Sequence, residues 1–283
     1  MAHIRGRRCI WPELISRYKE YQMNQSTPIY PRKLLAIGAV ILGLLSTFTG
    51  CDFLDEHPKS TITTNNFYQT ESDAVAATNA LYDYLSVGTD GIFDPAFGGI
   101  FFNDYWVFHD LVSDNAEETQ TDQTYRSLSE LNHNADNLRI EFYWQDLYKT
   151  INAANVVIDR IPDIDFDENK KNHLLAEAHF IRAMMYFELV RTFGDVPLMT
   201  KATTDVAASY QPRTDASKIY EQVIDDLEFA QSNLSTTYRV DKGRPTPMAA
   251  TALMAKVYLY EGKYDLAAAK AKAVIDSHQY ALE

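Results

Sequence analysis

The sequence predicts an all-α protein of tetratricopeptide-like helix pairs, an α-solenoid with long irregular loops. Three observations predict this. Leu174 to Phe193 is apolar on most sides, as a helix covered by its neighbours must be. From Asn137 onward, apolar residues recur at steps of three and four with few interruptions. The final two segments have tetratricopeptide spacing. Ala255, Tyr258, Gly262, Tyr264, Ala267 and Ala271 fall at the small, aromatic and turn positions that let two helices pack closely. Each pair in such an array buries its apolar face on the next.

In chain order, residues 1–50 read as a signal peptide with an N-terminal extension. Arg32-Lys33 precedes an apolar run, Leu34 to Phe48, and then Thr49-Gly50-Cys51. The run is too short to span a bilayer comfortably. With small residues before Cys51, the segment resembles a bacterial lipoprotein signal, in which the cysteine is acylated and becomes the new N-terminus. The alternative is an ordinary signal peptide or a short membrane anchor. Met23 is the better start, because signal peptides rarely carry so long a polar lead. Residues 51–69 then form a polar tether, and 70–283 the helical domain.

The first helix of that domain is expected from Thr70 or Ser72, with Ala74, Ala77, Leu81 and Leu85 on one face. Gly88 to Gly99 is glycine-rich and irregular. Asn103 to Ser113 is a short helix candidate, and Ser113 to Asn137 reads as a long, polar, acidic loop. Next, Ile140, Trp144, Leu147, Ile151, Ala154, Ile158 and Ile161 mark a helix ending at Pro162, which places Trp144 in the core. The central helix starts at Asp165, where Glu168 completes a capping box, or at Asp167, and stops at Gly194 before Pro197. Thr214 is expected to cap a helix carrying Ile219, Val223, Leu227, Ala230 and Leu234. Thr246-Pro247 opens the next, which runs to Glu261, and the last spans Asp265 to Ser277. The chain stops at Glu283 with no capping helix, so an open apolar end is expected and the domain reads as truncated.

Charge and motif content exclude several classes of function. Residues 1–50 carry seven Lys and Arg against two Asp and Glu, so the rest carries 19 against 37, a net of −18. A body this acidic repels nucleic acid and anionic lipid. Cys9 and Cys51 lack metal-site spacing. His173 and Glu177 share a helix face, but His179 lies about 240° around from His173, so the three do not converge on a metal. Glu177 and Arg182 read instead as a structural polar network within an apolar helix. Asp104, Asp110, Asp114, Glu117 and Glu118 suggest a glycosidase pair, yet nothing fixes two of them across a cleft. No nucleophile elbow, phosphate loop or dinucleotide loop is present. No catalytic residue, metal or cofactor is expected.

Four stretches together carry a family resemblance: CDFLDEHPKSTITTNNFYQTESDAVAATNALYDYL, AEAHFIRAMMYFELVRTFGDVPL, PRTDASKIYEQVIDDLEFAQSNL and GRPTPMAATALMAKVYLYEGKYDLAAAKAKAVIDSHQYAL. They resemble the SusD/RagB family, lipid-anchored surface proteins of Bacteroidetes that bind nutrient glycans beside an outer-membrane transporter. The resemblance implies a non-enzymatic protein at the outer-membrane surface, anchored through Cys51. It implies a glycan ligand and a SusC-like TonB-dependent transporter as partner. Family members continue well beyond the position of Glu283.

The ligand is expected at Trp106, the alternative being that this indole packs under the Gly88–Gly99 loop. On a helix from Asn103 to Ser113, Tyr105, Phe108 and Val112 share the apolar face, and Trp106 lies among Asn103, His109, Asp110 and Ser113. An indole flanked by hydrogen-bonding groups suits a sugar ring, whose C–H face stacks on it. YWVFHDLVSDNAE also resembles the segment where family members place a stacking tryptophan and, three residues on, a polar sugar contact. Here that contact is His109, whose titration would make binding pH-sensitive. The alternative function is a tetratricopeptide scaffold lipoprotein that binds protein partners in the cell envelope.

Overall fold

The computed structural model describes residues 67–86, 99–119, 122–236 and 243–280, all within the compact unit Ile62–Glu283. The expected signal segment, Cys51 and the Gly88–Gly99 loop up to residue 98 lie outside the described residues. Seven α-helices follow in order among them: α1 (Glu71–Ser86), α2 (Gln123–Ser129), α3 (Leu138–Arg160), α4 (Glu168–Phe193), α5 (Ala216–Asn233), α6 (Pro247–Tyr260) and α7 (Tyr264–Asp276). Two π-helical turns, Ile100–Asp104 and Val107–Leu111, stand between α1 and α2. The fold is all-α, and the described residues pair as strands only at the isolated bridge Val196–Thr214.

Each helix packs mainly on its neighbours in sequence. α4 lies between α3 and α5, α6 rests on α5, and α7 on α6, while α1 covers α3 and α4. The cause is the apolar surface of α4, where Leu174, Ala178, Ile181, Met185, Phe187 and Leu189 are all buried. One ion-paired network crosses it. Arg182 donates to both oxygens of Asp226 on α5, to Asn155 on α3 at 2.8 Å and to the Thr200 carbonyl at 3.2 Å. Glu177 accepts from Tyr82 of α1 at 2.5 Å and from Arg244 at 2.6 Å, and His179 turns to Asp226. Each of these carboxylates has organic partners, as the structural reading of Glu177 and Arg182 requires.

The ends of the helices follow their caps. Asp73 accepts from the Thr70 backbone N–H, and Thr70 Oγ1 accepts from the Asp73 N–H, a reciprocal capping box at α1. Asp167 accepts from Lys170, so α4 begins at the later of its two expected starts. Gly194 closes it at φ +71° and ψ −124°, a positive-φ conformation that glycine adopts without a Cβ clash. Thr246 Oγ1 accepts from the Ala249 N–H above Pro247. Between α6 and α7, Gly262 lies at φ +73°, and Lys263 N–H donates to the Tyr258 carbonyl while Gly262 N–H donates to Leu259. These two bonds are the Schellman closure that a left-handed glycine permits.

Four expectations are corrected. Thr214 does not cap α5: its N–H donates to Val196 in the bridge, and Asp195 receives the free N–H of Ala216 instead. Trp144 is not core. The buried row of α3 is centred on Tyr143, Leu147, Ile151 and Ala154, which leaves Trp144, one residue round from Tyr143, half-buried against Phe193 and Tyr148. The stretch Ser113 to Asn137 is not all loop. Asp122 caps α2 by accepting from Thr124, and Leu128 buries it. Finally, Asn103 to Ser113 is not a regular α-helix but the two π turns joined through Tyr105 and Trp106. Each π turn admits an extra residue, so faces drawn for α geometry do not hold.

The segment 197–203 runs across α3 and α4 and is gripped by their side chains. Tyr148 donates to the Pro197 carbonyl, and Tyr186 both donates to Met199 O and accepts from Met199 N–H. Asn155 donates to Met199 and Lys201, while Asp159 and Asn152 accept from the Ala202 and Thr203 N–H groups. At the other end of the stack, α7 buries Ala267, and Leu259, Tyr260, Tyr264, Leu266 and Ile275 stand exposed on α6 and α7.

Candidate functional site

The π-helical segment carries the chemistry that distinguishes this chain from a plain helical stack. Val107 and Leu111 anchor it against Leu128 of α2. With those two turned inward, Trp106 is left 41% exposed at the junction of the two π turns. Its indole lies nearly parallel to the Tyr125 ring of α2, at 10° and 6.4 Å between centroids. Offset parallel rings at this separation attract each other. The Tyr125 hydroxyl accepts from the Asn103 side-chain N–H at 2.6 Å, and the Arg139 guanidinium lies 4.1 Å from the Tyr125 ring centre. Trp106, Tyr125 and Asn103 thus form one platform, with a cation against the tyrosine.

The four residues singled out on this segment have different surroundings. Asn103 is buried and reaches the platform through Tyr125. Asp110 is exposed, and its backbone carbonyl accepts from the Ser113 hydroxyl at 2.6 Å. His109 points to α4, where Nε2 lies 2.8 Å from Glu188 Oε2 and 3.0 Å from Arg191 Nη2. The same carboxylate accepts from Tyr143 at 3.1 Å and from Arg191. Burial alone would raise the Glu188 carboxyl, but the His109 hydrogen bond and the Arg191 charge outweigh it and hold the group below its usual range. His109 also faces a hollow of about 440 Å³ lined with Phe108, His133, Arg191 and Tyr260.

Tyr125 and Arg139 were missed at the sequence level. The available signal was Asp122 three residues before Tyr125 and six before Leu128, a cap followed by a short apolar face. Arg139 sits on the first turn of α3, where a buried cation is not expected from pattern alone. A second aromatic-lined groove, about 880 Å³, runs between α1 and α3 past Tyr68, Tyr84, Trp144 and Tyr148. Among the described residues no group of three or more His, Cys, Asp or Glu side chains could hold a metal ion, and no helix is long and apolar enough to cross a membrane.

An all-α helical stack that presents an aromatic platform on an irregular π-helical segment is the class that fold and site define. The family described as "Starch-binding associating with outer membrane", SusD-like, matches residues 52–259. The chain belongs to this family. A SusD-like protein of Formosa agariphila is 31% identical over 235 residues, 83% of this chain and 45% of the relative. One from Bacteroides ovatus is 28% identical over 80% of this chain and 39% of the relative. Among solved structures, a SusD-like protein of Bacteroides fragilis superposes with a TM-score of 0.66 at 27% identity, covering 78% of this chain and 40% of the other. A laminarin-binding SusD-like protein superposes at 0.62 with 30% identity, covering 73% and 44%. The chain spans less than half the length of these relatives.

Proposed function

We propose that this protein is a glycan-binding lipoprotein of the outer-membrane surface, which captures an oligosaccharide or polysaccharide and passes it to a SusC-like TonB-dependent transporter. It binds and releases its ligand without altering it. In this reading residues 1–50 are removed, Cys51 is acylated, 51–69 tether the protein, and 70–283 form the binding domain. The observation that carries the proposal is the exposed Trp106 held parallel to Tyr125 beside Asn103. A sugar ring stacks its C–H face on the indole while neighbouring polar groups meet its hydroxyls. Trp106 is the stacking surface and Asn103 and Asp110 are polar groups around it, while His109 holds the second π turn against α4. The family description and the laminarin-binding neighbour point to the same ligand class.

The test is retention of the full-length protein in gels cast with laminarin or soluble starch. Trp106→Ala is expected to migrate as if no polysaccharide were present. Retention equal to the wild type would move the site elsewhere. The helix pair α6–α7, closed at Gly262, favours a second reading, a tetratricopeptide scaffold for protein partners. A panel of peptides and polysaccharides separates the two.

A further inference from the structure

We propose that Arg139 is a positioning residue for the carbohydrate platform, holding the Tyr125 ring parallel to Trp106 from a buried charge cluster with Asp104 and Asp146. The proposal rests on Trp106 as the stacking surface and names what sets its geometry. Arg139 is 2% exposed on the first turn of α3, with its guanidinium carbon 4.1 Å from the Tyr125 ring centre. A planar guanidinium stacks on an aromatic face as a compact ammonium cannot. Asn103 holds the same ring by its hydroxyl. The ring is therefore fixed at its face and at its rim, and Trp106 lies at 10° to the plane so defined.

What fixes Arg139 is the charge around it, which includes Asp122 at the cap of α2, a carboxyl held below its usual range by its Thr124 hydrogen bonds. Asp146 lies seven residues on along α3, two turns away on the same face, and is itself buried. Asp104, at the end of the first π turn, is 1% exposed, and neither carboxyl oxygen has a hydrogen-bond partner among the described residues. An ionised carboxylate in that position would be poorly compensated. Burial, and then the charge of Asp146, push the Asp104 carboxyl up to about 8, with Arg139 offsetting only part of this. The Tyr125 and Tyr143 phenols also lie within its field, and burial raises both, so they keep their protons across the same range. At neutral pH Asp104 keeps its proton within the fields of the Arg139 guanidinium and the Asp146 carboxyl. Once Asp104 ionises, its charge pulls on the guanidinium that lies against the Tyr125 ring.

Fluorine NMR of the full-length protein labelled with fluorotryptophan tests this without a ligand, the Trp106 signal being assigned by its loss in Trp106→Phe. The wild-type Trp106 signal is expected to pass through one transition centred near pH 8. Asp104→Asn should abolish the transition. Tyr125→Leu should shift the Trp106 signal and remove its pH response. Arg139→Lys, which keeps the charge and loses the plane, should shift Trp106, leave Trp144 in place and weaken retention on laminarin or starch about tenfold. If Arg139→Lys does not fold, Arg139→Gln, which keeps a planar head without the charge, carries the same readout. A Trp106 signal that does not move in Arg139→Lys overturns the proposal, and one that is flat from roughly pH 6.5 to 9.5, or that titrates unchanged in Asp104→Asn, overturns the part given to Asp104. Full retention of Trp106→Ala on both gels would move the glycan site away from Trp106 while leaving the NMR result standing.

Discussion

Arg182 and Asp226 meet at two points, Nε to Oδ2 at 2.8 Å and Nη2 to Oδ1 at 2.7 Å, and both are buried. Because Arg182 also reaches Asn155 and Thr200, this single side chain joins α3, α4, α5 and the segment after α4. Planar bidentate pairing is specific to arginine. Arg182→Met would leave Asp226 charged and buried beside His179, and is expected to cost about 3–5 kcal/mol in urea unfolding at pH 7. Burial raises the Asp226 carboxyl, but hydrogen bonds from Arg182 and His179 hold it below its usual range. A lowered carboxylate stabilises the fold above its unfolded value. Wild-type stability should therefore fall as pH drops below about 4, and Asp226→Asn should show a shallower fall.

Asp104 has the opposite sign. Its carboxyl is pushed up to about 8, so between about pH 4 and pH 8 the unfolded chain is ionised there while the folded protein keeps the proton. Stability from this group is full at low pH and declines as pH rises through that window. Asp104→Asn removes the decline. Urea unfolding at pH 5, 7 and 9 should show the variant gaining on the wild type with each step, by a few kcal/mol at the alkaline end. A constant difference would show that the carboxyl does not titrate there.

The two tryptophans in the described residues should respond differently to truncation. Trp106→Ala removes an exposed ring and should leave the melting temperature within a degree or two while glycan retention is lost. Trp144→Ala removes contacts with Phe193 and Tyr148 and should cost about 2 kcal/mol, with retention kept.

Gly262→Ala isolates a backbone effect. The added Cβ would meet nothing within 4 Å, so sterics with neighbours are absent, but φ is +73°. The expected cost is about 1–2 kcal/mol, read as a lower urea midpoint with unchanged slope.

Cys51→Ser addresses the proposed anchor. One acyl chain holds a protein to a membrane only marginally and two hold it stably. The variant is expected to accumulate as unprocessed precursor or appear in the soluble fraction. Unchanged membrane fractionation, with no lipid mass on the wild-type mature protein, counts against acylation.

The helical stack was legible because its signals are local. Gly194, Thr246-Pro247 and Gly262 each act on their own turn, and the apolar surface of α4 is continuous in sequence. The platform was half legible. Trp106 stood out as an indole among polar residues, and it is exposed. Its parallel partner was hidden because Tyr125 lies in a polar stretch whose seven-residue helix gives little periodicity. His109 could not be placed from spacing, since π turns shift every later side chain from the α register and Glu188 lies 79 residues away. Trp144 was misplaced by one helical step, which is the difference between Tyr143 at the centre of the buried row and its neighbour at the edge.

The segment 197–203 behaves as a strand without a sheet. Its carbonyls and N–H groups are answered by Tyr148, Tyr186, Asn152, Asn155 and Asp159, so the ladder is made of side chains that α3 and α4 hold rigid. Two things follow for substitution and exchange. The amides of Met199, Ala202 and Thr203 should exchange with solvent deuterium at the slow rate of the helices beneath them, although they belong to a connection. The gripped side chains, by contrast, are dispensable to the grip: residues within the segment can change freely wherever only their backbone is held, whereas a single change at Tyr186 or Asn155 releases several backbone groups at once.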